Sequence, residues 1–180
     1  MLDVIPEDGS FRANKKYPEY RLKFGNDSWR AYYHSHDSSH FPEEHGHFHV
    51  FFKIDASGSI EQDWSHVAAL SMDRGGQPIQ WFTVNNWVTG DRWLEAESLL
   101  EKISFTIDES GLVAYWLSSM LGFYQYIIRD LLKSRDRALE SFRGTRKISD
   151  ALIDREIYDL SHMPVALLRD MAIVLNQGTD

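Results

Sequence analysis

The chain has no cysteine, which excludes disulfides, iron–sulfur clusters and thiolate-bound zinc. It also has no excess of basic charge, since 19 Lys and Arg face 27 Asp and Glu for a formal net charge of −8. Without a basic field to hold phosphates, nucleic acid is not an expected partner. The opening MLDVIPEDGSFR lacks the basic and apolar regions of a signal peptide, and together with the missing cysteines this points to a cytoplasmic protein. Long hydrophobic runs are scarce. The one charge-free stretch, 110–128, is broken by Ser118, Ser119, Gln125 and three tyrosines. It reads as a buried helix or a homo-oligomer interface in preference to a membrane span.

What is present suits one packed domain over 1–180: 43% hydrophobic and 13% aromatic residues, including six Trp. Residues of about 19–86 are mainly β and those of about 91–176 mainly α. Segments 19–24 and 29–36 flank the turn-forming Gly25-Asn26-Asp27-Ser28. In 46–54, Phe48, Val50, Phe52 and Ile54 alternate with His47, His49, Phe51 and Lys53. Segments 66–73 and 79–85 meet across Arg74-Gly75-Gly76-Gln77-Pro78, with His66 on the face of Ala68, Leu70 and Met72. Beyond Asn86 the period changes. Asp91 is placed to cap a helix carrying Trp93, Ala96, Leu99 and Leu100. Further helices are expected over 111–142, 150–159 and 164–176. The fold class is α+β: an N-terminal antiparallel sheet, cupin-like or barrel-like, with C-terminal helices packed against it.

Seven of the eight histidines lie between positions 34 and 66. Four form two His-x-His pairs, His34/His36 and His47/His49, and a strand turns both rings of such a pair to one face. Pairing Phe48, Val50 and Phe52 with Trp29, Ala31 and Tyr33 on a buried face brings the imidazoles together on the other. A register setting His36 opposite His47 also sets His34 opposite His49, whereas a one-residue slip separates the pairs. The metal-ligand candidates are His34, His36, His47, His49 and His66, with Glu44 or Asp37 as a carboxylate. Imidazole-rich coordination suits Fe, Cu, Zn or Ni and disfavours Ca or Mg. Glu44 and Tyr32 are the catalytic candidates. Asn85, Asn86, Trp87 and Arg92, at the change from sheet to helix, are candidates to bind a small-molecule substrate. The first reading is a small metal-dependent enzyme, a non-haem iron or copper oxidoreductase ahead of a zinc hydrolase. The rivals are a non-catalytic metal-binding or interaction protein and a metal-free site using histidine as acid and base.

No established metal motif fits. His34-Ser35-His36-Asp37 resembles the start of the metallo-β-lactamase pattern, but the later residues are displaced, and there is no H-E-x-x-H. The strings EEHGHFHVFF, HVAALSMDRGGQP and WFTVNNWVTGDRW resemble an uncharacterised bacterial family, a domain of unknown function, over most of the chain. That resemblance implies a shared pattern of His and Trp and carries no activity with it.

Overall fold

Alternating strands of 6–9 residues dominate the first half of the computed structural model, which describes residue 4 and residues 11–36, 42–54 and 63–177. The strands are β1 (Tyr17–Phe24), β2 (Trp29–His34), β3 (Gly46–Lys53), β4 (Trp64–Met72), β5 (Pro78–Val84) and β6 (Asp159–Pro164). They form one antiparallel sheet in the order β1-β2-β3-β4-β5-β6. The sheet is open and not a closed barrel, with β1 and β6 at its edges. Gly25, Asn26 and Asp27 all adopt positive φ in the β1–β2 turn, the backbone that tight hairpins need and that Gly and Asn tolerate best.

Side-chain alternation divides the sheet into two unlike faces. Trp29, Ala31, Tyr33, Phe48, Val50, Phe52, Leu70 and Trp81 join the main core. That core is completed by α2 (Ala96–Leu100), α3 (Leu112–Phe123) and α4 (Gln125–Arg143). Helix α4 buries Ile128, Leu131, Leu132, Arg135 and Leu139, a one-sided stripe at helical spacing. Each fully buried Leu or Ile of this kind stabilises the fold by roughly 1.5–3 kcal/mol. The opposite face carries the histidines.

Several elements differ from their expected form. The 111–142 helix is two helices that meet at Tyr124, whose φ of −94° and ψ of 17° leave the helical region. Its charge-free part buries Ala114, Leu117, Met120 and Leu121 and exposes Leu112, Tyr115 and Tyr126. Residues 91–95 are not helical, and a short α1 (Asn86–Thr89) precedes them. The 150–159 segment is helical only as α5 (Ile148–Leu152), and the chain then enters β6 against β5. β6 reads DLSHMP, with no alternation to announce a strand. Its pairing is a long-range event. The last helix, α6 (Leu167–Gln177), starts three residues later than expected. Among the described residues no helix is long and apolar enough to cross a membrane.

Candidate metal centre

The β2–β3 register decides the histidine geometry. His34 lies opposite His47 and Tyr32 opposite His49, two residues away from the register expected. A two-residue offset preserves faces, so the imidazoles still share one side, but Tyr32 enters the cluster and His36 runs past the end of β2. His66 joins by a different route. Between Val50 and Phe51 the β3–β4 register shifts by one residue, so Val50 opposes Ala68 while Phe51 opposes His66. This bulge moves His66 off the face of Ala68, Leu70 and Met72 and onto the histidine face.

Four rings are deeply buried there: His34 is 8% exposed, His47 3%, His49 1% and His66 5%. Tyr32, Phe51 and Trp64 form a small apolar cluster on the same face. The Phe82 ring meets His47 edge-on at 5.1 Å. His36 remains exposed, with Nδ1 3.0 Å from Asn14 Oδ1. Buried imidazoles need partners, and these find them mostly in one another. His47 Nε2 is 2.8 Å from His34 Nε2 and 3.1 Å from His49 Nε2. His49 Nδ1 is 3.0 Å from His66 Nε2.

Glu44 sets the tautomer at the centre. His47 Nδ1 donates to Glu44 Oε1 at 2.7 Å, and Ser71 Oγ donates to Glu44 Oε2. Ser71 is the residue directly across from His47 in β4. Burial pushes the Glu44 carboxyl up, but the hydrogen bond and charge of His47, with Ser71, outweigh it and hold it below the usual range. With its proton on Nδ1, a neutral His47 offers a lone pair at Nε2, the atom that lies near the Nε2 of His34 and of His49. If His49 likewise donates from Nδ1 to His66, its Nε2 is also a lone pair. A ligating histidine that gives its second ring N–H to a carboxylate or other acceptor is the usual support of a metal site.

Electrostatics favour the neutral form of His34, His36, His49 and His66. Burial, followed by the charges of His47, His36 and Lys16, pushes the His34 imidazole down to about 2. Burial, then Arg135 and His47, pushes His66 down to about 3. His49 is driven well below its ordinary value by burial and by its histidine neighbours. His36 is lowered as well, by burial and then His47, with Glu44 opposing. Neutral imidazole is the form that binds metals. Among the described residues, His34, His36 and His47 offer ring nitrogens that all lie within 4.8 Å of one another, and they could hold a metal ion. Tetrahedral ligands at 2.0–2.1 Å from a metal are separated by about 3.3 Å. The 2.8 Å between His34 Nε2 and His47 Nε2 needs only a small expansion to accept one.

Of the remaining described candidates, Tyr32 borders the cluster, and His45, Asn85, Asn86, Trp87 and Arg92 bond to other partners. His45 is bonded to the Tyr33 hydroxyl at 2.7 Å and stacks on Phe11, away from the cluster. His40 and Asp37 fall outside the described residues. The Tyr32 ring is 5.6 Å from His34 and 5.2 Å from His49. Asn85 is buried and caps α1, with Nδ2 donating to the Ala151 and Asp154 carbonyls. Asn86 Nδ2 donates to Asp91 O, and Trp87 Nε1 to Ile157 O. The Arg92 backbone N–H donates to Trp64 O. Asp91 does not cap a following helix. Its carboxylate accepts the His66 backbone N–H and the Thr89 hydroxyl. Ser71 and Asn14 were not foreseen, although a hydroxyl in the otherwise apolar, buried strand HVAALSM is a readable signal.

An open antiparallel sheet, with α2, α3 and α4 completing the core on one face and a buried imidazole cluster on the other, defines an α+β protein with a candidate metal centre. Residues 1–165 match a family described as a domain of unknown function, DUF6969, and the chain belongs to that family. No curated protein and no solved structure matches it.

Proposed function

We propose that this protein is a small metal-dependent enzyme whose transition-metal ion is held by His34, His36 and His47, with His49 beside them. The observation that carries this reading is the set of ring nitrogens of His34, His36 and His47 within 4.8 Å of one another, with the other ring nitrogen of His47 engaged by Glu44. An all-nitrogen donor set beside Tyr32, Phe51 and Phe82 suits iron or copper redox chemistry. The carboxylate that touches these rings, Glu44, is tied to His47 and Ser71 and is not free to activate water for a zinc hydrolase. On this reading Glu44 orients His47 and Tyr32 walls the site where a small-molecule substrate approaches. A second reading, a metal carrier without catalysis, is favoured by His49. Its Nε2 lies 3.1 Å from His47 Nε2, close enough to add a fourth ligand and close the shell.

Elemental analysis of protein prepared without a nickel-affinity step, followed by thermal denaturation with Zn, Fe(II), Cu and Ni, tests the metal. An ion at about 100 times its Kd stabilises the fold by about 2.7 kcal/mol. His34→Ala and His47→Ala remove that gain, whereas His162→Ala, an exposed residue on β6, keeps it. If no transition metal co-purifies and none raises the melting temperature, the reading is wrong.

A further inference from the structure

We infer that α6 is a self-association surface and that its occupant is the same helix of a second copy of this chain. Along α6, Leu168, Met171, Ala172 and Leu175 stand at positions i, i+3, i+4 and i+7, a single stripe of the helix surface. Within one globule such a stripe is the face that packs, as the Ile128, Leu131, Leu132 and Leu139 stripe of α4 does. In α6 all four residues of the stripe are exposed, Leu168 to 80% and Leu175 to 69%. Val174, beside the stripe, is 55% exposed.

The helix is anchored at its first turn. Asp170 Oδ2 accepts from the Tyr124 hydroxyl at 2.8 Å and from the Ala166 backbone N–H at 3.1 Å, and Leu167 packs on the main core. Tyr124 meets Phe123 edge-on at 4.9 Å, so this bond brings the exposed Phe123, within the charge-free 110–128 stretch, to the foot of α6. Phe123 and the exposed Leu168, Met171, Val174 and Leu175 together present roughly 500 Å² of apolar surface. Two copies bury about 1,000 Å², the area a specific interface must reach, before any polar rim is counted. The charges on the helix cancel, because Arg169 pairs with Asp170 at 3.2 Å. An apolar face without net charge is complementary to itself, which is what a two-fold contact needs. The same face gives an anionic membrane no basic rim to hold, in a chain of net charge −8.

Sedimentation velocity of the full-length protein over a concentration series tests the contact. The expected result is a monomer–dimer equilibrium in the micromolar range. Leu168→Glu combined with Leu175→Glu weakens association at least about tenfold, while the urea midpoint stays where it was, because both side chains are exposed. Leu168→Met combined with Leu175→Met keeps the dimer. Met171→Cys gives this cysteine-free chain one thiol at the middle of the stripe, and oxidation joins two copies through it. That variant also decides the matter if the double Glu protein does not fold. A protein that stays monomeric throughout the series overturns the inference. If the monomer floats with phosphatidylcholine vesicles, the helix belongs to a membrane surface and the inference is equally wrong. A dimer that the folded Glu variant leaves unweakened, or that Met171→Cys does not cross-link, places the contact elsewhere and overturns it too.

Discussion

Acidification of the metal-free protein should destabilise it from an unusually high pH. His34 and His66 are buried, and their imidazoles are pushed down to about 2 and about 3. In the unfolded chain each titrates near 6.5. Because the folded values are depressed, the folded protein keeps both rings neutral at a pH where the unfolded chain has taken up two protons. Their contribution to stability is therefore complete above about pH 6.5 and is lost as the pH falls towards the folded values. Each group removes about 1.4 kcal/mol per pH unit below 6.5. At pH 5 the loss is about 2 kcal/mol for each and about 4 kcal/mol for the pair. His49, fully buried and also driven down, adds loss in the same direction. Against a typical domain stability of 5–15 kcal/mol this is decisive. The assay is urea denaturation of chelator-treated protein between pH 7.5 and pH 5. His66→Gln should reduce the slope by about one proton. A stability flat across that interval would show that the rings are hydrated or protonated in the fold, and the account of their burial would be wrong.

Two further outcomes follow from close packing near the site and behind it. Gly46→Ala places a Cβ 2.5 Å from the His34 carbonyl oxygen and 2.7 Å from the Tyr33 hydroxyl. It should cost about 1–3 kcal/mol in chemical denaturation and weaken metal binding by prising β3 from β2; a neutral result would refute the register. Arg135 is 2% exposed, donates to Leu94 O and Asp136, and stacks at 4.0 Å on Trp93. Arg135→Ala should destabilise by about 3 kcal/mol in the same assay, with the metal stoichiometry unchanged.

The division of the sheet into two faces was legible because side-chain alternation is a local property. Phe48 lies between His47 and His49, and Val50 and Phe52 continue its face, so whichever face is core, the two imidazoles share the other. Helix over most of 111–142 was legible as well, although not its division at Tyr124. The pairing offset was not legible. Moving β2 by two residues against β3 leaves every face assignment intact, so nothing in the hydrophobic pattern distinguishes His36 from His34 as the partner of His47. β6 was unreadable for a related reason. DLSHMP earns strand geometry only from β5 beside it.

Alone, therefore, the sequence determined the fold class, the clustering of histidines on one sheet face and the absence of thiolate chemistry, since these depend on period and composition. Tertiary structure decided which imidazoles meet. A two-residue offset exchanged His36 for Tyr32 in the buried cluster, and a one-residue bulge at Val50/Phe51 turned His66 onto the histidine face. Both are choices of hydrogen-bond pairing between distant segments. Such choices are settled by the energy of the assembled sheet and leave no trace in the local order of residues.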